Sequence, residues 1–110
     1  MRIWATQLRK GLIELCVMAA LQDGEAYGYE ILQTLAGSQT LEVSESTVYP
    51  ILARLAEEGA VTVRVAASPA GPPRRYYRLT ASGKARLREM GQHWNQIRRA
   101  VDGLLKGAGS

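Results

Sequence analysis

The 110-residue chain holds one cysteine and one histidine, and no uninterrupted apolar run long enough to span a bilayer. Each shortage removes a class of function. Cys16 has no partner for an internal disulfide, and its place in an apolar helix reads as a small core hydrophobe rather than a redox sensor. His93 stands mid-helix beside Trp94, with no Cys or carboxylate cluster at ligand spacing, so neither a metal centre nor a general base is expected. No phosphate-cradling glycine motif is present. The first residues lack the basic, apolar, small-residue order of an export signal. The expectation is a cytoplasmic, non-enzymatic protein with no cofactor, no metal and no membrane partner. An apolar share of 46% suits one folded domain with one modest core.

Acids are also missing from one region. Residues 1–58 carry four cations against eight acids, a balance of −4, and residues 59–110 carry ten cations against Glu89 and Asp102, a balance of +8. Between Glu58 and Glu89 there are seven cations and no acid. A one-sided cluster of this kind is an electrostatic footprint for phosphate.

Periodicity predicts four helices and a hairpin. Helix one is expected from Thr6, as N-cap, to Gln22, with Asp23-Gly24 as the stop. Leu8, Leu12, Leu15, Cys16 and Ala19 share a face that Ile13, Val17, Ala20 and Leu21 widen, so the helix is buried on more than one side, one of them available to a partner chain. Helix two covers Gly28 to Ala36 and turns Ile31, Leu32 and Leu35 inward. Helix three follows Ser44 as N-cap, has its core stripe at Val48, Ile51, Leu52 and Leu55, and closes at Gly59. A strand over 61–67, a Pro/Gly turn over 68–73 and a second strand with the run Arg74-Arg75-Tyr76-Tyr77-Arg78-Leu79 come next. Of the two tyrosines, one is expected in the core and the other on the surface.

Helix four is predicted from Thr80, as N-cap, to Leu105. Leu87, Met90, Trp94, Ile97, Val101 and Leu104 recur at alternating spacings of three and four. That is a heptad seam rather than the face of a helix lying on its own core, and it calls for a second copy of the chain. The fold class is therefore mainly α with a small β-hairpin. A winged helix-turn-helix domain over 1–79, whose first helix also serves the dimer, precedes a dimerisation helix and short tail over 80–110.

Opposite its core stripe, helix three presents Ser46, Pro50 and Ala53, flanked by Thr47, Tyr49 and Arg54. Glu57 faces outward near the far end, so the N-terminal half is the part expected in a major groove. Ser46 and Thr47 can bond base edges or phosphates, Tyr49 can reach a phosphate or sugar, and Arg54 is expected to clamp the backbone. Pro50 removes one helical amide, early enough in the helix to limit the damage. No Asn, Gln or Arg stands at the centre of the face for bidentate base reading, which leaves few direct contacts and a role for DNA shape.

Several of these segments resemble the PadR family of bacterial transcriptional regulators, in its small branch with a single C-terminal helix. The matching pieces are Leu8-Arg9-Lys10-Gly11, Tyr27-Gly28-Tyr29-Glu30-Ile31, the run from Ser46 to Leu55, Glu58-Gly59, the run from Arg74 to Thr80, and Gly83. The resemblance implies a homodimeric winged-helix repressor on a pseudo-palindromic operator in double-stranded DNA, released in some members by a ligand. It implies DNA contacts from Tyr27, Ser46, Thr47, Tyr49, Arg54, Arg74 and Arg75. It places Trp94 where multidrug-responsive members sandwich flat aromatic compounds across the dimer axis, with Gly11, Glu14, Leu15 and Met18 lining the same cavity and Arg98 one turn beyond.

Glu14 is the only charge between Gly11 and Gln22, so it serves either as a carboxylate favouring planar cations beside an indole or as an ion-pair partner of Arg98 or Lys10. Trp94 is either a ligand platform or interface packing. Two other functions use the same residues: an architectural DNA binder without an effector pocket, and a winged helix devoted to protein–protein contact.

Overall fold

The computed structural model describes residues 3–41 and 43–107. Among them the order is α1 (Ile3–Ala19), β1 (Ala26–Tyr27), α2 (Gly28–Ala36), a 3-10 turn (Gln39–Leu41), α3 (Glu45–Glu57), β2 (Val61–Ser68), β3 (Gly71–Leu79) and α4 (Ala81–Lys106). This is a winged helix-turn-helix with a long C-terminal helix. The expected tail lies outside the described residues beyond Gly107.

Three expectations need correction. Helix α1 begins at Ile3, so Thr6 lies inside it and is no N-cap. Ile3-Trp4-Ala5 contains no glycine or proline to stop the helix sooner. The hairpin tip is only Pro69-Ala70, because Ser68 pairs with Gly71. Pro72 and Pro73 instead belong to β3, beside an irregularity between Ala66 and Ser68, where the ladder does not need their missing amides. A third strand is also present: β1 pairs antiparallel with β3, Ala26 opposite Tyr77 and Tyr27 opposite Tyr76, giving the order β1-β3-β2.

Ile13, Val17 and Met18 of α1, Ile31 and Leu35 of α2, and Val48, Leu52 and Leu55 of α3 meet Val61, Tyr77 and Leu79 of the sheet in one core. Each such aliphatic side chain, fully withdrawn from water, contributes about 1.5–3 kcal/mol. Leu87 and Met90, expected on the dimer seam, are half-buried and pack against this core. The first half of α4 lies on its own domain, and the seam residues that remain exposed are Trp94, Ile97, Val101 and Leu104.

The start of α4 is bolted to the end of α3. Helix α3 closes through Ala60 N–H donating to Leu55 O and Gly59 N–H to Ala56 O, with Gly59 at φ 76°. The Gly59 carbonyl then accepts from Thr80 Oγ1 at 2.6 Å and Ser82 Oγ at 3.1 Å. Thr80 N–H donates to Ala60 O at 3.0 Å, while Thr80 Oγ1 caps α4 by accepting from Gly83 N–H at 3.0 Å. Gly83 passes so close that a Cβ there would lie 2.0 Å from the Ala60 carbonyl oxygen.

Gly83→Ala is therefore expected to cost about 1–3 kcal/mol of stability, read as a lower denaturation midpoint. Gly91→Ala in the same helix, where a Cβ meets nothing within 4 Å, should leave the midpoint unchanged or raise it.

Candidate nucleic-acid interface

Ser46, Thr47, Tyr49, Pro50 and Ala53 are all exposed on α3. Ser44 caps the helix through its backbone, in extended conformation, with its carbonyl accepting from Thr47 and Val48 N–H. Its hydroxyl meets those of Ser46 at 2.8 Å and Thr47 at 3.4 Å rather than a backbone amide. The N-terminal half of α3 thus ends in three clustered hydroxyls. Tyr49 lies across the start of α2, its ring where any side chain on residue 28 would project, 2.3 Å from an added Cβ.

The wing closes the other side. A groove of about 720 Å³ separates it from α3, walled by Tyr27, Tyr29, Tyr49 and Ala53 on one side and by Pro72, Pro73, Arg74 and Arg75 on the other. Tyr77 forms part of the floor, is buried, and has its hydroxyl pKa raised by desolvation. Tyr76 turns to the opposite face of β3. At the border between that face and the groove, which Tyr27 and Arg74 also line, the rings of Tyr76 and Tyr27 meet edge to face with centroids 5.6 Å apart, and the Arg74 guanidinium lies 4.4 Å over the Tyr27 ring. On the far side of Tyr76, Arg64 sits 4.6 Å over its ring and forms a bidentate pair with Glu25, at 3.0 and 2.7 Å. Sequence reasoning missed this arrangement, because it depends on the two-residue strand β1.

Arg54, expected to clamp the DNA backbone, is engaged within the chain: its guanidinium bonds Glu14 of α1 and, at 3.2 Å, Glu58. Arg86 of α4 joins the same cluster, 2.7 Å from Glu58 and 3.7 Å from Glu14. Bonding to Arg86 and then Arg54 holds the Glu58 carboxyl below its ordinary pKa.

Glu14 and Met18, expected in a ligand cavity, line neither of the two hollows between α1 and α4. Glu14 is committed to Arg54 and Arg86, not to Arg98 or Lys10, and Met18 is sealed in the core. The space between α1 and α4 opens instead toward the start of α1, as an apolar hollow of about 920 Å³. Trp4, Leu8, Gly11 and Leu12 face Trp94, Ile97, Arg98 and Val101 across it. Leu15 borders a smaller neighbouring hollow, with Met90, His93 and Trp94. Arg98 pairs with Asp102 at 3.6 Å on the rim of the larger one. Among the described residues no helix is long and apolar enough to cross a membrane, and no group of three His, Cys, Asp or Glu side chains is placed to hold a metal ion.

Residues 17–89 match the model of the transcriptional regulator PadR-like family. A PadR-like transcriptional regulator from Bacillus cereus is 36% identical, with 92% of this chain and 98% of that one covered and a TM-score of 0.80. A PadR-like transcription factor from Bacteroides fragilis is also 36% identical, covering 90% of this chain and 95% of that one at a TM-score of 0.76. The PadR of Bacillus subtilis, solved in complex with operator DNA, is 28% identical over 72% of this chain and 46% of that one, at a TM-score of 0.67.

The four-residue charge cluster predicts a pH dependence. Because the Glu58 carboxyl titrates below its ordinary value of 4.5 in the folded chain, its contribution is complete above that value and is lost as pH falls through the folded pKa. Glu58→Gln should melt slightly below the unaltered chain at pH 7, and the difference should close at pH values below 4.5; thermal melts across that range provide the check. The effect is small, since both partners of Glu58 are solvent-screened.

Proposed function

The chain belongs to the PadR-like family of transcriptional regulators, and from that premise we propose that it is a cytoplasmic, dimeric, sequence-specific DNA-binding repressor. The observation that carries this reading is the convergence on one groove of the hydroxyl-rich half of α3 and the arginines of the wing. Ser46, Thr47 and Tyr49 enter the major groove beside Pro50. Arg74 and Arg75 meet phosphates or the adjoining minor groove. With Arg54 committed to carboxylates, backbone neutralisation falls to the wing.

The second copy is supported by the apolar stripe of α4. Ile97 is 53% exposed, Val101 45% and Leu104 80%, and Leu8 of α1 is 65% exposed. So continuous a patch is costly in water and is covered when α4 pairs with its like. Pairing sets two α3 helices on one side of the dimer, suited to half-sites about 34–36 Å apart.

The α1–α4 hollow favours a planar aromatic effector at that interface. Trp4 and Trp94 both line it, and a second copy would roof the open side. With Glu14 turned away, the carboxylate that remains on the hollow is Asp102, already paired with Arg98, so neutral flat compounds fit better than cations.

Selection of duplexes from a random pool at two salt concentrations tests the central reading. A two-fold-related motif is the expected result; salt-sensitive binding without a motif would indicate an architectural protein, and no binding at either salt a protein-interaction module. Ile97→Asp should abolish binding to the selected operator and yield a monomer by sedimentation. Titration with a panel of flavin-like and ethidium-like dyes should quench tryptophan fluorescence in the unaltered chain and much less in Trp94→Ala; absence of quenching by any dye sinks the effector reading.

A further inference from the structure

Tyr27 is half-buried at the border of the groove, and two groups occupy most of its ring. The Arg74 guanidinium covers one face at 4.4 Å, and Tyr76 packs against it at 5.6 Å with the planes inclined by 63°. Beyond Tyr76 the row continues through Arg64, 4.6 Å over the ring, to Glu25, which takes two hydrogen bonds from Arg64. One line of side chains therefore crosses the outer face of the sheet from β1 to the wing: Glu25, Arg64, Tyr76, Tyr27, Arg74.

Its two arginines are used differently. Arg64 commits its Nε and one Nη donor to Glu25 and its face to Tyr76. Arg74 spends only its face; it takes part in none of the ion pairs among the described residues. The donors of a guanidinium lie in its plane, so stacking on a ring consumes none of them and leaves the edge for a phosphate fork. Stacking also removes rotamer freedom from a long side chain before any ligand arrives, a cost that binding would otherwise carry. The free end of the row borders the groove beside α3.

We propose that Tyr27 is a positioning residue rather than a DNA contact, and that the row from Glu25 to Arg74 presents the Arg74 guanidinium edge-on to a phosphate of the duplex. The proposal rests on the DNA-binding reading above. It assigns remote roles to Glu25, Arg64 and Tyr76, none of which approaches the groove. The row also ties the hairpin to the strand that leads into α2, so the wing is held against the helix pair through side chains as well as the β1–β3 ladder.

The test compares Tyr27→Leu, Tyr27→Phe and Arg74→Ala in binding to a duplex the unaltered chain retains, with thermal melts to verify folding. Tyr27→Leu should weaken binding about tenfold, the order a partly desolvated cation–ring contact supports. Tyr27→Phe, which keeps the ring, should bind as the unaltered chain does. In an Arg74→Ala background Tyr27→Leu should add no further loss, because it acts through the missing guanidinium. Arg64→Ala, at an exposed position with little risk to folding, should weaken binding by a smaller factor. Equal damage from Phe and Leu would mean that the hydroxyl touches DNA, and a full additional loss in the Arg74→Ala background would mean that Tyr27 acts elsewhere; either overturns the proposal. Hydrogen exchange in the free protein gives a second reading: amides of residues 64–66 and 74–76 should exchange faster in Tyr27→Leu, and unchanged protection would also overturn it. Absence of duplex binding by the unaltered chain would overturn the DNA reading and this proposal together, whereas binding indifferent to Tyr27→Leu overturns this proposal alone.

Discussion

The carbonyl groups of Gly59 and Ala60, two neighbours at the foot of α3, take bonds from Thr80 and Ser82 at the head of α4. Gly83 presses so closely on the second of them that only a hydrogen fits between. Everything between those two points is the hairpin. Its ends are thereby held together, and the wing can project only in the direction that α3 and α4 jointly allow. The same contact brings Glu58 within reach of Arg86, so that salt bridges to α4 and α1 brace what the backbone has already joined.

That bracing also sorts the charge. The acids Glu14 and Glu58 absorb Arg54 and Arg86, two cations on the side facing α1, and Glu25 absorbs Arg64. The cations at the groove, Arg74 and Arg75, have no acid beside them among the described residues' ion pairs. A chain that is acidic in its first half and basic in its second becomes, once folded, neutral across its helical joints and positive along one hairpin.

The winged helix-turn-helix order was legible in the sequence because it rests on local signals. Helix α2 follows its apolar period from Gly28 to Ala36, Ser44 and Thr80 stand at the N-caps, and Gly59 ends α3. What could not be read is tertiary. A strand of two residues has no period, so β1 emerges only from its pairing with Tyr76 and Tyr77. The pairing of Glu14 with Arg54 spans 40 residues of sequence, and nothing near either one announces it. The spacing of Leu87 and Met90 is the same whether a helix lies on its own core or on a second copy, so period alone could not tell that the first half of α4 does the former and leaves only the second half uncovered. For the candidate interface, the residue types on α3 and the wing were apparent, but the engagement of Arg54 and the stacking of Arg74 were not.

The backbone anchor of α4 lies at its head, and Leu87 and Met90 seat its first half on the core, so the remainder works as a lever. Its 26 residues reach about 39 Å at 1.5 Å per residue. The 16 residues beyond Met90 account for about 24 Å of that length, and a tilt of about 5° there would swing the far end by roughly 2 Å. The gearing also runs in reverse. A displacement of that size imposed near Val101 and Leu104 is returned to the foot of α3 as a small rotation, with little leverage lost, because hydrogen bonds, a steric stop and salt bridges all oppose slippage at the pivot.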